Sequence, residues 1–188
     1  MPTIYLFRHG QTEYNAAKMF TGQSESKLTP EGIVQAKNLG MLLKDKRITI
    51  GYTSSLARAQ DTLKEVLAHH PECQKTLIDN RITERSYGIL EGHYHQEAID
   101  KYGQAQFDQW HRGWTDKVEG GESLADVEVR VSTFIADLIS DNYPMNTGIA
   151  ISAHGNSIRI FRKIMENTTV EECVSWQIPY DQYFEYQI

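Results

Sequence analysis

The amino-acid sequence predicts a three-layer α/β/α fold with a mostly parallel sheet. Three observations carry this expectation. Short β-branched and aromatic runs alternate with stretches of helical period, the residues suited to chemistry fall just after those runs, and 188 residues suffice for one domain with its own core. In such sheets, ligands bind beyond the carboxyl ends of the strands.

The elements follow in order. Thr3 to Arg8 reads as a buried strand ending at a glycine, and a polar stretch then runs to Leu28. Thr29-Pro30-Glu31 opens a helix, with threonine as N-cap and proline at its first position, and Ile33, Ala36, Leu39, Gly40 and Leu43 form its apolar face. Ile48 to Thr53 is a second strand. Ser54 or Ser55 would cap a helix to about Ala68, and Thr76 to Ile78 is a third strand. Residues 81 to 121 are rich in aromatics, glycine and histidine and form an excursion, with helical pieces near 96–102 and 104–110. Ser123 caps a helix to about Ile139, and Gly148 to Ala153 is a fourth strand. A helix from Asn156 or Ser157 to Glu166, a Thr169/Glu172 capping box and an edge strand at 183–188 complete the chain.

Composition narrows the function. Hydrophobic residues make up 40% and charged residues 23%, as in globular chains, and no window approaches the ~18 apolar residues of a membrane span. A net charge of −6 argues against non-specific nucleic-acid binding, so an anionic ligand needs local cations. Cys73 and Cys173 are too few for a disulfide framework and read as reduced thiols. Met1-Pro2-Thr3 does not begin a signal peptide, and the expected location is cytoplasmic.

Arg8-His9-Gly10 and His154-Gly155-Asn156 each follow a predicted strand, so two histidines can converge at one sheet edge beside Arg8 and Arg58. Arginine forks suit phosphate, and Arg58 lies in the first turn of a helix, where free N–H groups also favour an anion. A serine-nucleophile elbow and a Walker loop are both absent from the sequence. His93, His95 and His111 have a metal-like look, but no metal is expected there. Histidines, arginines and one carboxylate suit phosphoryl transfer through a nitrogen nucleophile.

Arg8-His9-Gly10-Gln11-Thr12 resembles the signature of the histidine phosphatase superfamily. Several further stretches resemble its cofactor-dependent phosphoglycerate mutase branch: Phe20-Thr21-Gly22, Ser54-Ser55-Leu56-Ala57-Arg58, Glu84-Arg85-Ser86-Tyr87-Gly88-Ile89-Leu90-Glu91-Gly92, Trp110-His111-Arg112, Gly121-Glu122-Ser123-Leu124 and Ala153-His154-Gly155-Asn156-Ser157. The resemblance spans residues 3 to about 160. It implies a phosphoglycerate-mutase-like fold, His9 as the nucleophile that becomes phosphohistidine, and Arg8, Arg58 and His154 around the phosphoryl oxygens. Glu84 would donate and accept the substrate's proton, and a neighbouring phosphate dianion would help that carboxyl keep it near neutrality. Thr12, Asn15, Thr21, Gly22, Tyr87, His95, His111, Arg112, Gly155 and Asn156 would line the substrate pocket, although Asn156 could instead be an N-cap.

Departures from the mutase pattern keep two reactions open. Lysine is usual where His95 stands, and two arginines where His111 and Arg112 stand, so two fixed charges are replaced by imidazoles. Glutamate is common at the position of Gln11. The sequence ends soon after the last strand, without the tail that helps cover many mutase sites. The first expectation is interconversion of 2- and 3-phosphoglycerate, primed by 2,3-bisphosphoglycerate. The second is a phosphomonoesterase acting on small phosphorylated metabolites, and the third is an inactive phospho-ligand binder. The expected partner is a small phosphorylated metabolite, not nucleic acid or membrane, and the expected state is monomer or homodimer.

Overall fold

The computed structural model describes residues 1–188. Five strands form one sheet: β1 (Thr3–Arg8), β2 (Ile50–Thr53), β3 (Lys75–Ile78), β4 (Gly148–Ala153) and β5 (Tyr183–Gln187), in the order β3-β2-β4-β1-β5. The first four run parallel, and β5 closes one edge antiparallel to β1.

The helices are α1 (Glu13–Ala16), α2 (Pro30–Leu43), α3 (Ala57–Leu67), α4 (His95–Tyr102), α5 (Gln104–Arg112), α6 (Leu124–Ser140), α7 (Gly155–Glu166) and α8 (Val170–Ser175). Alternation along the strands divides the core. Ile4, Leu6, Ile149 and Ile151 meet Val127, Val131, Phe134, Ile158 and Phe161 of α6 and α7. Tyr5, Phe7 and Ala150 point to the other side, against Leu39, Leu43, Leu63 and Val66 of α2 and α3.

Four local expectations change. Ile33 is 40% exposed, because the buried face of α2 is set by Gly32, Ala36, Leu39, Gly40 and Leu43. Neither Ser54 nor Ser55 caps α3; Leu56 takes the cap position without a side-chain bond, and the Ser54 hydroxyl is drawn to His154. Asn156 is not an N-cap either: His154 holds that position, and the Ser157 hydroxyl accepts its N–H at 3.2 Å. The polar stretch after β1 contains the four-residue helix α1, capped by Thr12.

Between β3 and α6 lies the excursion. Phe20, Tyr87, Leu90, Ala98, Phe107 and Val118 give it a small apolar cluster. Backbone hydrogen bonds stitch it to the loop after α1: Phe20 N–H to His93 O, Gly92 N–H to Phe20 O and His95 N–H to Lys18 O. It therefore sits against the carboxyl ends of the strands.

Candidate active site

Parallel pairing of β1 with β4 sets Arg8 opposite Ala153, so the next residue of each strand, His9 and His154, fall side by side. The His9 N–H reaches Ala153 O at 3.1 Å, and the two imidazole centroids are 5.0 Å apart. His9 Nδ1 lies 2.7 Å from Gly10 O. A carbonyl only accepts, so Nδ1 carries the proton and Nε2 keeps its lone pair. Burial, then the charges of Arg58 and Arg8, hold the ring's pKa well below its ordinary value, and His9 is neutral. His154 is fully buried and likewise depressed, first by burial and then by His9. Its Nε2 meets Ser54 Oγ at 2.8 Å, while Nδ1 has no partner in the fold.

Two guanidiniums are fixed beside this pair. Arg58, 1% exposed, donates Nη2–H to Gly22 O at 2.7 Å and Nη1–H to Ser24 O at 2.8 Å. Arg8 donates Nη1–H to Ile178 O at 2.8 Å and lies 4.1 Å from the Tyr180 ring centroid. The Nε–H of each is buried without a partner. Together with His154 Nδ1 these orphaned atoms form the kind of cradle that phosphate oxygens fill. Thr62 ties the two halves together, accepting the Gly10 N–H and donating to Arg58 O.

Glu84 is held by backbone. Its Oε1 accepts the N–H of Arg85 at 2.8 Å and of Asn156 at 3.1 Å, the latter in the first turn of α7. The Arg85 side chain is committed to Glu122 O and Asp116 O, not to Glu84. Arg130 braces the segment from behind. Its guanidinium donates to the carbonyls of Arg81, Thr83 and Glu84 and meets Glu122 through both carboxylate oxygens. Glu91 fastens two further segments, accepting from Gln23 N–H, Ser24 Oγ–H, Ser86 Oγ–H and Tyr87 N–H.

These groups open onto a cavity of about 640 Å³. Its lining includes every expected site residue except His154 and Thr12. His154 is fully buried beside His9. Thr12 is fully buried, and its hydroxyl accepts the Asn15 N–H as a helix cap, so it does not face a ligand. Asn15, Thr21, Gly22, Tyr87, Gly155 and Asn156 do line the cavity. His95 and His111 stand on the excursion wall with ring centroids 5.6 Å apart, packed on Phe20 and Phe107. Burial pushes the His111 pKa down to about 3, and burial with Lys18 nearby lowers that of His95. His93 turns away to Glu97. No three His, Cys, Asp or Glu side chains converge as a metal ion would require.

Sequence reasoning missed Lys18, Arg130, Arg159 and the segment from Gln177 to Gln182 that completes the cavity wall. Glu84 is the cavity's one carboxylate, against five cations: Arg8, Lys18, Arg58, Arg112 and Arg159. None of the five is in an ion pair. On a chain of net charge −6 this concentration selects an anion.

The family model for the histidine phosphatase superfamily, branch 1, matches residues 4–185. The chain belongs to this superfamily. A 2,3-bisphosphoglycerate-dependent phosphoglycerate mutase of Cytophaga hutchinsonii is 34% identical over 172 residues, spanning 92% of this chain and 81% of that relative. The protein of the same name from Bartonella bacilliformis is 36% identical over 175 residues, 92% and 85% of the two chains. Among solved structures, the alpha-ribazole phosphatase of Shigella flexneri superposes with a TM-score of 0.84 at 25% identity, covering 99% of this chain and 90% of its own. The mixed sheet of this superfamily member, four parallel strands and one antiparallel edge, is the fold that the sequence resemblance implied.

Proposed function

We propose that this member of the histidine phosphatase superfamily transfers a phosphoryl group through His9, and that its first reaction is interconversion of 2- and 3-phosphoglycerate. The observation that carries the transfer step is the neutral His9 ring with its free Nε2, set among two guanidiniums and a second imidazole that all have unpartnered N–H or N atoms. His9 Nε2 attacks phosphorus, an N–P bond forms and the bond from phosphorus to the ester oxygen breaks. Arg8, Arg58 and His154 hold the equatorial oxygens where charge gathers. Glu84, on the same cavity, gives the departing oxygen its proton and takes one back from the group that next accepts the phosphoryl.

The mutase reading is supported by relatives of 34–36% identity that carry that name. It is supported also by a second cationic wall around Arg112, which a substrate with a further anion requires. In this reading 2,3-bisphosphoglycerate supplies the phosphoryl group that primes His9. A second reading, a phosphomonoesterase, is favoured by one observation: His95 and His111 are uncharged, where the mutase pattern has fixed cations. A weaker hold on the second phosphoglycerate leaves the phosphohistidine to water.

The experiment follows 2-phosphoglycerate and free phosphate from 3-phosphoglycerate, with and without 2,3-bisphosphoglycerate, using His9→Ala as control. Isomer exchange stimulated by the bisphosphate, with little phosphate release, supports the mutase. Phosphate release from several esters without exchange replaces it with the phosphatase. Undiminished turnover by His9→Ala overturns both.

A further inference from the structure

We infer that Arg159 is a specificity-determining residue of this cavity and that, together with Arg112, it receives a second anionic group of the substrate, a carboxylate or a further phosphate. The inference rests on the phosphoryl-transfer reading, since it concerns the other end of the molecule bound at His9.

Arg159 lies one helical turn after Gly155 on α7, which brings its guanidinium back over the start of the helix. A Cβ built on Gly155 would stand 3.5 Å from Glu84 Oε2 and 3.7 Å from both Arg159 Nη1 and Arg8 Cζ. Arg159 is therefore beside the reacting groups. It is 9% exposed, and its bonds within the fold go to neutral acceptors: Nε–H to Trp176 O at 2.9 Å and Nη1–H to Asn156 Oδ1 at 3.0 Å. The remaining nitrogen, Nη2, has no partner, and the side chain lines the cavity.

Arg112 ends α5 on the facing wall. Burial first, and the Arg112 charge second, push the Arg159 pKa down to about 10, so the two guanidiniums feel each other. Neither has a carboxylate within ion-pair distance. Glu84 attracts Arg159 from beyond ion-pair distance and offsets only part of this repulsion; two like charges, one of them nearly buried, stay costly to hold together until a closer counter-ion arrives. Arginine forks match carboxylate and phosphate oxygens. His95 and His111 complete the same wall as neutral rings, so charge recognition there falls to Arg112 and Arg159, with the exposed Lys18 at the rim. The substrate class is thus a small phosphomonoester bearing a second anion, not a simple alcohol phosphate.

The test measures binding rather than turnover. His9→Ala protein is titrated calorimetrically with 3-phosphoglycerate, glycerol 3-phosphate and glycerol 1,3-bisphosphate. Glycerol 3-phosphate lacks the second anion; the bisphosphate replaces the carboxylate by phosphate. The expected result is at least tenfold tighter binding of one or both ligands that carry a second anionic group than of glycerol 3-phosphate, and the better of the two identifies the group. Adding Arg159→Gln should remove that preference while leaving glycerol 3-phosphate within about threefold, and Arg159→Lys should keep part of it. No preference in the parent, or an equal loss for all three ligands in Arg159→Gln, overturns the inference. Should His9→Ala fail to fold, the same ratios are read as inhibition constants of the unaltered protein against p-nitrophenyl phosphate. Failure of the phosphoryl-transfer reading is seen separately, as absence of acid-labile label on His9, whatever the binding ratios.

Discussion

The imidazoles of His9 and His154, from opposite ends of the chain, stand 5.0 Å apart because β1 and β4 are parallel neighbours and each ring follows directly on its strand. Only one of them has a proton assigned by a backbone carbonyl, and in the proposed transfer that asymmetry makes His9 the nucleophile and His154 its support. Labelled substrate should leave acid-labile phosphorus on the native protein and none on His9→Ala. His154→Ala should still be labelled, but about 10²–10³-fold more slowly, the range for losing one donor to a developing charge. Single-turnover labelling checks this; a His154→Ala rate within threefold of native would remove His154 from the reaction.

Stability should fall as the solution is made mildly acidic. His9, His154 and His111 all have folded pKa values below the unfolded value near 6.5. Well above pH 6.5 neither state binds the proton, and these groups contribute no pH dependence. Below it, the unfolded chain takes protons that the fold excludes, so each ring costs up to about 1.4 kcal/mol per pH unit. Urea midpoints at pH 7.5, 6.5, 5.5 and 5.0 check the slope. His111→Leu should fall less steeply over that range, and an unchanged slope would mean the ring is not held neutral.

Arg130 positions Glu84 without touching the cavity that Glu84 faces. Arg130→Lys keeps a charge but cannot bond three carbonyls and both Glu122 oxygens at once. A misplaced proton donor matters most when the leaving oxygen is a poor one. Rates on alkyl phosphates should therefore drop by about tenfold or more while p-nitrophenyl phosphate changes little, with Glu84→Gln showing the same pattern more strongly. Equal losses on both substrate types would assign Arg130 to general stability only.

The neutral wall offers a route from one reaction to the other. Replacing His95 by Lys and His111 by Arg adds fixed cations beside Arg112, on the wall the second phosphoglycerate would need. The ratio of isomer exchange to phosphate release should rise severalfold in the double variant. A ratio that stays level, with the protein folded, would show that these two positions do not set the fate of the phosphoryl group.

Much of this was legible in the sequence where local chemistry decides structure. Thr3–Arg8 and Gly148–Ala153 are apolar and β-branched, and Thr29-Pro30 and Ser123 carry their own caps, so strands and helices begin near where composition places them. The site was legible where motifs sit at strand ends. It failed where a side chain serves a distant partner: Ser54 leaves its own helix for His154, and Arg130 and Arg159 bond to carbonyls, which no residue pattern announces. Thr12 shows the opposite case, a motif residue whose hydroxyl is taken up by a helix only four residues long. The Gln177–Gln182 wall has no motif at all and is held through Ile178 O, which accepts from Arg8, and through Trp176 O just before it, which accepts from Arg159.

Glu91 joins the loop at Gln23 and Ser24 to the turn at Ser86 and Tyr87, and that loop in turn presents the carbonyls that grip Arg58. The freedom that a guanidinium would lose on meeting phosphate has already been surrendered when the chain folds. The proposed oxyanion capture at this end is accordingly preorganised: crystals grown with and without vanadate should superpose here, and any rearrangement on ligation belongs to the opposite wall.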